Sequence, residues 1–383
     1  MSDIYDISSL YSLDDAYSKP IYFEVFISII VWTLWLLSGV GNVLVVIIFM
    51  RDRTLRNKVA NRYILNLALA DLLVGFNSLT IKNIWRYYGN WPFGKFICKM
   101  YVIVDYTVVC QSFFAITLIS FDRFLLVTKE LSYSKYQTKR MAWTLILSSW
   151  TLSFGLFGLP VLLYEPLTEK PVLKPYNITC YQHVSYLRDY NIAILVLTFI
   201  IPSAVLVFLN LAVFTNIYRR SKGLVRTRSL NLTESTSNSV DEQQWASPRN
   251  RGDIGPALET NLTQDSSAGG AGVSPGNSVR VANLSTRTKM ASYRRHYKAA
   301  VTLSILVGVF LVCATPLYVF KCLLSFSGID HDWIWWNIVD YMTWANSSIN
   351  PFLYAVTNPK MRAGYKSILC FWKKSRPTRT LAL

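Results

Sequence analysis

Seven long apolar stretches constrain what this 383-residue chain can fold into. A helix rises about 1.5 Å per residue, so about 20 apolar residues cross the roughly 30 Å hydrocarbon layer of a bilayer. Only 16% of the residues are charged, whereas soluble domains average about 25%. The sequence therefore predicts an all-α membrane protein whose spanning helices lie at 25–50, 61–85, 98–127, 141–163, 190–218, 299–325 and 333–356.

The charged residues flank these stretches unevenly. The connections after the first and third stretches are basic, whereas the first twenty residues hold four Asp and one Lys. By the positive-inside rule, this predicts an extracellular amino terminus and a cytoplasmic carboxyl end at the plasma membrane. Lys82, Arg86, Lys95 and Lys99 are predicted to lie on an outer loop. Because the formal charge of +17 comes mostly from cytoplasmic flanks, we do not expect nucleic-acid binding.

The chain divides by composition. Residues 221–292 are rich in Ser, Thr, Asn, Gly and Arg and poor in aromatic residues, which predicts a disordered third intracellular loop. The tail begins with a basic, amphipathic segment expected to lie along the inner membrane face as a short helix. The predicted regions are the extracellular amino terminus (1–24), spanning helices one to five (25–220), this loop, spanning helices six and seven (293–356), and the tail (357–383).

Two modification sites are expected. Asn177 begins an Asn-Ile-Thr acceptor pattern in the second outer loop and is the predicted glycosylation site. Cys370, beside Phe371 and Trp372 in the tail, is the predicted palmitoylation site.

Asp71 and Asp105 are acidic residues inside the second and third apolar stretches. An ionisable residue inside a spanning helix is costly, so Asp71 and Asp105 are functional-site candidates by default. A cationic ligand would offset the cost of burying a carboxylate through a charge-assisted hydrogen bond. We therefore expect Asp105 to bind a cation.

A series of short motifs follows the spanning stretches in order. They are Gly41-Asn42, LALAD ending at Asp71, Asp122-Arg123-Phe124, Trp150 with Pro160, Pro202, and Asn350-Pro351-Phe352-Leu353-Tyr354. In this order and at these depths, the chain resembles rhodopsin-like (class A) G-protein-coupled receptors. The resemblance implies a seven-helix receptor that acts through heterotrimeric G proteins, with arrestin and receptor kinases as further partners.

The resemblance also implies roles for individual residues. Arg123 would pair with Asp122 in the inactive receptor and be released on activation, and the proline-kinked helices would move. The implied coupling and activation residues are Asp122, Arg123, Pro316, Asn350, Pro351 and Tyr354. The resemblance further implies a disulfide between Cys98 and Cys180.

An allosteric sodium ion is the one bound ion that the resemblance implies, and no cofactor is predicted. Its oxygen ligands would come from Asp71, Ser112, Asn346, Ser347 and Asn350. The alternative is that Asp71 is merely hydrogen-bonded.

Asp105 occupies the position at which amine receptors hold the ammonium group of their ligand. The expected ligand-binding residues are Asp105, Tyr106, Val109, Thr198, Tyr318, Tyr341 and Trp344, whose aromatic members would form a cation–π cage. Each aromatic residue taken alone could equally belong to the core. Asp340 is either a second anchor for a dicationic ligand or the partner of Lys321.

Local matches point to the third and fourth histamine receptor subtypes, with muscarinic acetylcholine receptors next. They are Val104-Asp105-Tyr106, DRFLLVT with Ser132-Tyr133, and Thr343-Trp344-Ala345-Asn346-Ser347. Those histamine receptors carry a Glu at the position of Thr198, so the amine is left open between histamine-like and acetylcholine-like. The same relatives imply coupling to inhibitory (Gi/o) G proteins.

Two departures from the family pattern concern the sixth helix. Ala314 replaces a tryptophan under the ligand, which predicts either a deeper pocket or a repacked floor. His296 stands where relatives carry an acid, so no ionic lock to Arg123 can form and we expect raised basal signalling.

Other classes of protein fit less well. A retinal receptor needs a lysine in the last helix, and residues 333–357 contain none. The three histidines do not share a helix face, and no nucleophile or metal motif accompanies them, so an enzyme is not expected. A peptide-binding, constitutively active or decoy receptor is the alternative.

Overall fold

The structure is a computed structural model that describes residues 21–129, 132–168, 180, 187–243, 297–298, 300–323 and 333–369. Asn177, His296, Cys370 and residues 244–292 of the predicted loop lie outside this part of the chain. Backbone contacts divide the chain into two units, Met1–Leu211 with Val301–Leu383, and Ala212–Ala300. The site described below belongs to the first unit.

Seven long helices match the seven predicted spans. They are α1 (Ile21–Arg51), α2 (Ala60–Tyr88), α3 (Gly94–Thr128), α4 (Lys139–Thr168), α5 (Arg188–Gln243), α6 (Ala300–Leu323) and α7 (Trp333–Thr357). Six of them are long and apolar enough to cross a membrane. The seventh helix, α7, is long enough to cross a membrane, but its Asn, Ser and Asp residues lower its mean hydropathy. The predicted seven-helix architecture is confirmed.

Two short helices, Arg53–Asn57 and Tyr133–Tyr136, lie in the connections after α1 and α3. The helical backbone of α5 continues to Gln243, so it overlaps the first part of the range predicted to be a disordered loop. The sequence contains no proline between Pro202 and Pro248, and therefore nothing there blocks the helical hydrogen-bond ladder.

The helices bury polar residues and expose apolar ones. Leu147, Phe208 and Val312 have well over half of their surface exposed. Asn42, Asp71 and other polar side chains are buried instead. This inverted distribution is the one a bilayer requires, because lipid solvates apolar side chains and leaves polar groups to pair with each other inside the protein.

Glycines allow the closest helix contacts. A Cβ added to Gly75 in α2 would lie 2.9 Å from the backbone nitrogen of Gly39 in α1. A Cβ added to Gly41 would lie 2.8 Å from Cγ of Pro351 in α7. Small residues thus bring α1 into contact with both α2 and α7.

Two helices contain a π-helical turn, Val74–Leu79 in α2 and Val196–Ile200 in α5. Such turns change which residues face the interior and are frequent at functional sites. Each contains a fully buried hydroxyl residue, Ser78 in α2 and Thr198 in α5.

The predicted helix of the tail is present as α8 (Pro359–Leu369). The side chain of Asn358 caps its start by accepting hydrogen bonds from the backbone nitrogens of Lys360 and Met361, at 3.1 and 3.4 Å. Met361 is fully buried, and Ile368 packs against the main core. This apolar face holds the amphipathic helix against the bundle.

Candidate functional site

The outer end of α3 is covalently fixed. Cys98 forms a disulfide with Cys180, with 5.5 Å between their Cα atoms. Both cysteines are buried in a cluster with Trp91, Tyr101 and Val102. The predicted disulfide is confirmed, and it fixes the start of α3 about two helical turns above Asp105.

One carboxylate oxygen of Asp105 has no hydrogen-bond donor among the described residues. Its Oδ1 atom is buried and accepts no hydrogen bond from the residues that the structure describes. Ser78 of α2 and Trp344 of α7 neighbour the carboxylate, and the buried hydroxyl of Ser78 also lacks a partner in the described part of the chain. A buried, unsatisfied carboxylate oxygen is rare and costly, and so it is a candidate ligand-binding atom.

The predicted aromatic cage is split between separate surroundings. Tyr341 and Trp344 meet edge to face at 5.7 Å in one cluster, against which Val109 packs. Tyr106 stacks on Phe157 at 5.7 Å instead. The structure therefore brings Tyr341 and Trp344 to the Asp105 region as a pair rather than forming a closed cage.

Thr198 and Tyr318 form a neutral pair. Their hydroxyl oxygens are 3.1 Å apart, and Thr198 Oγ1 donates to the carbonyl of Ile194 at 2.7 Å. Since Thr198 has one hydroxyl hydrogen, Tyr318 is the donor between the two. The ring of Tyr318 also stacks on Phe199 at 4.4 Å, so this wall of the site is polar but uncharged.

The floor near Ala314 is filled. Ala314 is only 4% exposed and lies in a cluster with Phe113, Phe310 and Tyr318. The rings of Phe113 and Phe310 are 4.3 Å apart, edge to face. Of the two predicted possibilities, this packing favours a repacked floor over a deeper pocket.

Two lysines stand close to the two acids of this region. Lys82 forms an ion pair with Asp340 at 3.4 Å, and Lys321 lies over the ring of Tyr106, 4.6 Å from its centre. Lys321 also interacts electrostatically with Asp340 and Asp105. Asp340 therefore has an ion-pair partner, Lys82, that the sequence analysis did not consider.

The predicted outer loop is a helix for most of its length. Lys82 and Arg86 belong to α2, which ends at Tyr88, and Lys95 and Lys99 belong to the first turns of α3. The last two lysines each contact Oε2 of Glu165 at 2.7 Å. Their placement on a loop was wrong because hydropathy does not indicate how far a helix continues beyond its apolar residues.

Three of the predicted sodium ligands contact Asp71, which is fully buried. Asn350 Nδ2 donates to Asp71 Oδ2 at 2.7 Å, Ser112 Oγ donates to Oδ1 at 3.4 Å, and Ser347 also contacts the carboxylate. The buried Oδ1 atoms of Asn346 and Asn350 have no donor among the described residues. These are hard oxygen ligands with a single carboxylate, which fits a monovalent cation.

Divalent metal sites need more charge than this cluster holds. Within the described residues, no group of three or more His, Cys, Asp and Glu side chains could hold a metal ion.

At the inner end of α3, Asp122 is held by a tyrosine. Tyr133 donates a hydrogen bond to Asp122 Oδ1 at 2.7 Å. Burial, followed by the negative charge of Asp122, raises the pKa of Tyr133 above its usual value, so the hydroxyl keeps its proton. Arg123, the next residue in α3, also interacts electrostatically with Asp122, and its release from Asp122 on activation stays a prediction.

The remaining predicted activation residues lie in α6 and α7. Pro316 and Pro351 are inside their helices, where each removes one backbone hydrogen bond. The hydroxyl of Tyr354 is buried and makes no hydrogen bond to described residues.

A polar network that the sequence analysis missed joins α2, α3 and α4. Gln111 Nε2 donates to Asn66 at 3.3 Å and to Ser149 at 2.9 Å, and its Oε1 accepts from Ser153 at 3.3 Å. Trp150 also donates to Asn66, at 2.8 Å. The sequence feature that could have predicted this network is Gln111, a long amide side chain inside an apolar stretch.

Comparison with known proteins agrees with these observations. Residues 41–354 match the family described as 7 transmembrane receptor (rhodopsin family). The chain is 28% identical to the D(1A) dopamine receptor of Didelphis virginiana, covering 86% of this chain and 70% of that receptor. It is also 28% identical to the D(1B) dopamine receptor of Xenopus laevis, covering 92% of this chain and 71% of that receptor. Since the family match covers most of the chain and all seven helices are present, the chain belongs to the rhodopsin family of seven-transmembrane receptors, whose members are receptors rather than enzymes.

Proposed function

We propose that this chain is a cell-surface receptor for a small amine, whose positively charged ammonium group binds Asp105, and that it signals through heterotrimeric G proteins. The observation that carries this proposal is the buried Oδ1 atom of Asp105, which lacks a hydrogen-bond donor among the described residues. An ammonium group supplies both the donor and the opposite charge. The similarity to dopamine receptors supports the same class of ligand.

The surroundings of Asp105 favour an amine that carries N–H groups. A quaternary ammonium such as that of acetylcholine has no hydrogen to donate and depends on an aromatic cage. Here the ring of Tyr106 already has a lysine over it, and Tyr318 belongs to the wall formed with Thr198. We therefore favour a histamine-like or dopamine-like amine over an acetylcholine-like one.

The neutral pair of Thr198 and Tyr318 suits a second polar group on the ligand. Both hydroxyls can exchange hydrogen bonds with a hydroxyl or a ring nitrogen, but neither can balance a second positive charge. The ligand is accordingly expected to carry one ammonium group, with its uncharged polar end towards α5 and α6.

A sodium ion at Asp71 is the second part of the proposal. Asp71 supplies the negative charge. The Oδ1 atoms of Asn346 and Asn350, which have no donor among the described residues, supply neutral oxygens. The hydrogen-bond donors around Asp71 are neutral and do not balance its negative charge. A bound sodium ion would balance the charge of this fully buried carboxylate. Ser112 and Ser347 complete the set of oxygen ligands.

The inner face is proposed to bind the G protein through Arg123. Its neighbour Asp122 interacts electrostatically with Arg123 and also accepts a hydrogen bond from Tyr133, so Asp122 retains a partner when Arg123 turns to the G protein. We carry over inhibitory (Gi/o) coupling, an extracellular amino terminus and later capture by arrestin as proposals from the family resemblance and the basic inner connections.

The experiment is a panel of biogenic amines on cells expressing the wild type, Asp105→Asn or Asp189→Asn. Asp189 is an exposed acid in the first turn of α5, so its variant controls for the same chemical change outside the site. Truncating one partner of a buried charge pair costs about 2–5 kcal/mol, which is a loss of potency of roughly 30- to 5,000-fold.

G-protein activation is read with energy-transfer sensors for the inhibitory, stimulatory and calcium-linked classes, and surface expression is measured in parallel. The proposal expects one amine to act on the wild type and on Asp189→Asn but not on Asp105→Asn. A potent agonist that acts equally on all three would refute it and would favour the peptide-receptor alternative.

A further inference from the structure

An ion pair joins α2 and α7 close to the ammonium site. Lys82 Nζ of α2 lies 3.4 Å from Asp340 Oδ2 of α7, and the two side chains are 13% and 25% exposed. The ammonium group of Lys82 is also held over the ring of Trp85, 5.0 Å from its centre. The lysine is thus held by an acid on another helix and by an aromatic ring on its own helix.

This ion pair lies one helical turn from the groups that neighbour Asp105. Ser78 of α2 and Trp344 of α7 are next to the Asp105 carboxylate. Lys82 follows Ser78 by four residues, and Asp340 precedes Trp344 by four. Residues four apart share a helix face, and α2 and α7 run in opposite directions through the bundle. Lys82 and Asp340 therefore lie on the same side of the Asp105 site, one turn away from it.

The ammonium group of Lys82 has two acids to choose from. Its charge acts on the Asp105 carboxylate as well as on Asp340. A lysine carries its charge on a flexible four-carbon stem, which is long enough to span a helical turn of about 5.4 Å. Oδ1 of Asp105 has no donor among the described residues and can accept from this lysine. Lys82 and the ammonium group of a ligand would therefore compete for Asp105 if nothing else held the lysine.

We propose that Asp340 is a positioning residue, which holds Lys82 away from Asp105 and so leaves that carboxylate to the ammonium group of the ligand. This inference rests on the proposed function, because it takes Asp105 as the ammonium site. Asp340 then acts on the ligand through Lys82 rather than as a second anchor. Lys321 also acts electrostatically on both acids and has a further interaction, so the test treats the two lysines separately.

The test removes each side of the ion pair. The receptors are the wild type, Asp340→Asn, Lys82→Gln, and two double variants that combine Asp340→Asn with Lys82→Gln or with Lys321→Gln. Both double variants have the net charge of the wild type, so an effect of net charge alone would be rescued equally in both. Glu165→Gln is the control, because it removes a carboxylate that contacts two other lysines at 2.7 Å.

The probes are dopamine, tyramine and histamine, read with the G-protein sensors described above. Asp340→Asn should lower the potency of the active amine at least about tenfold, because a carboxylate that Lys82 occupies about nine times in ten is free for the ligand about one time in ten. Lys82→Gln should be at least as potent as the wild type. Adding Lys82→Gln to Asp340→Asn should restore the potency to within about threefold of the wild type, whereas adding Lys321→Gln should not. Glu165→Gln should respond like the wild type.

A measurement without ligand tests the same competition, whichever amine is the agonist. In Asp340→Asn, Lys82 should pair with Asp105, so the melting-temperature shifts of Lys82→Gln and Asp105→Asn should no longer add. We expect the deviation from additivity to be at least about 2 °C larger in the Asp340→Asn background than in the wild-type background. The melting temperatures are measured on detergent-solubilised receptor.

The proposal is overturned if Asp340→Asn, at wild-type surface density, keeps the wild-type potency. It is also overturned if Lys82→Gln fails to rescue Asp340→Asn, which would make Asp340 a direct anchor, or if both double variants are rescued equally. The same deviation from additivity in both backgrounds would contradict it as well. In each case an amine response lost in Asp105→Asn would leave the proposed function standing. If Asp105→Asn responds like the wild type, the proposed function fails together with this inference.

Discussion

The contact between α1 and α2 gives a prediction with a built-in control. A Cβ on Gly75 would lie 2.9 Å from the Gly39 nitrogen and 3.1 Å from its Cα, and both are backbone atoms that cannot rotate away. A Cβ on Gly39 would instead meet the ring of Phe76 at 3.7 Å, an ordinary contact. Gly75→Ala and Gly39→Ala therefore add the same methyl group to opposite sides of one interface with opposite expected effects.

The magnitude follows from two terms. Replacing glycine by alanine within a helix stabilises it by up to about 1 kcal/mol, and this term is shared by both variants. Overpacking adds a cost of about 1–3 kcal/mol for Gly75→Ala only. The difference between the two variants should therefore be about 1–3 kcal/mol, which corresponds to roughly 3–9 °C in melting temperature at about 3 °C per kcal/mol.

The assay is the melting temperature of each receptor, solubilised in the same detergent and followed by ligand-independent fluorescence. Gly39→Ala should melt at or above the wild type and Gly75→Ala below it. Gly155→Ala, whose Cβ would meet nothing within 4 Å, measures the shared helix term. Equal melting temperatures for Gly39→Ala and Gly75→Ala would refute the proposed closeness of the two backbones.

Three further predictions concern other parts of the molecule. Tyr133→Phe removes the donor to buried Asp122, so it should lower the free energy of unfolding by the cost of an unsatisfied acceptor, about 1–3 kcal/mol, and lower the melting temperature accordingly. Tyr136→Phe changes an exposed ring and should leave the melting temperature unchanged. Equal effects of the two variants would count against the Asp122 contact. Ala314→Trp should sharply reduce folded receptor at the surface because the site is already filled by aromatic side chains, whereas wild-type expression and stability would indicate the deeper pocket instead. Asp71→Asn should abolish any reduction of agonist potency by sodium relative to N-methylglucamine, and a retained sodium effect would contradict the proposed ion site.

Much of the fold was predictable because bilayer thickness fixes helix length and the loss of backbone solvation forces helices. The Cys98–Cys180 disulfide and the α8 helix were predicted for similarly general reasons, through the family resemblance and an amphipathic pattern. The extent of each helix was harder to predict. Hydropathy falls at Lys82, but the helix continues to Tyr88, and Lys82 pairs there with Asp340 of α7.

The site was predicted less completely because side-chain pairing joins residues far apart in sequence. Lys82 and Asp340 are 258 positions apart, and no local pattern relates them. The cage prediction grouped Tyr106, Tyr318, Tyr341 and Trp344 by residue type alone. In the folded chain these aromatic residues point to different neighbours. Tyr106 stacks on Phe157, Tyr318 stacks on Phe199, and Tyr341 meets Trp344.

Asp122 illustrates the same limit at short range. Its sequence neighbour Arg123 carries the opposite charge and acts on it electrostatically. The hydrogen-bond donor in the structure, however, is Tyr133, in the short helix that follows α3. Charge patterns predict which groups need partners, whereas the folded backbone decides which groups are within reach.

The central claim is that an ammonium group binds the carboxylate of Asp105, and the most direct test varies both partners. The most potent amine-containing agonist is compared with an isosteric analogue in which a hydroxymethyl or methyl group replaces the charged nitrogen, on wild type and on Asp105→Asn. We predict that the charged ligand loses roughly 30- to 5,000-fold in affinity on the variant, as expected for about 2–5 kcal/mol, while the neutral analogue binds weakly and equally to both. If the two ligands lose affinity by the same factor, their response does not depend on a charge pair at Asp105, and the claim is wrong.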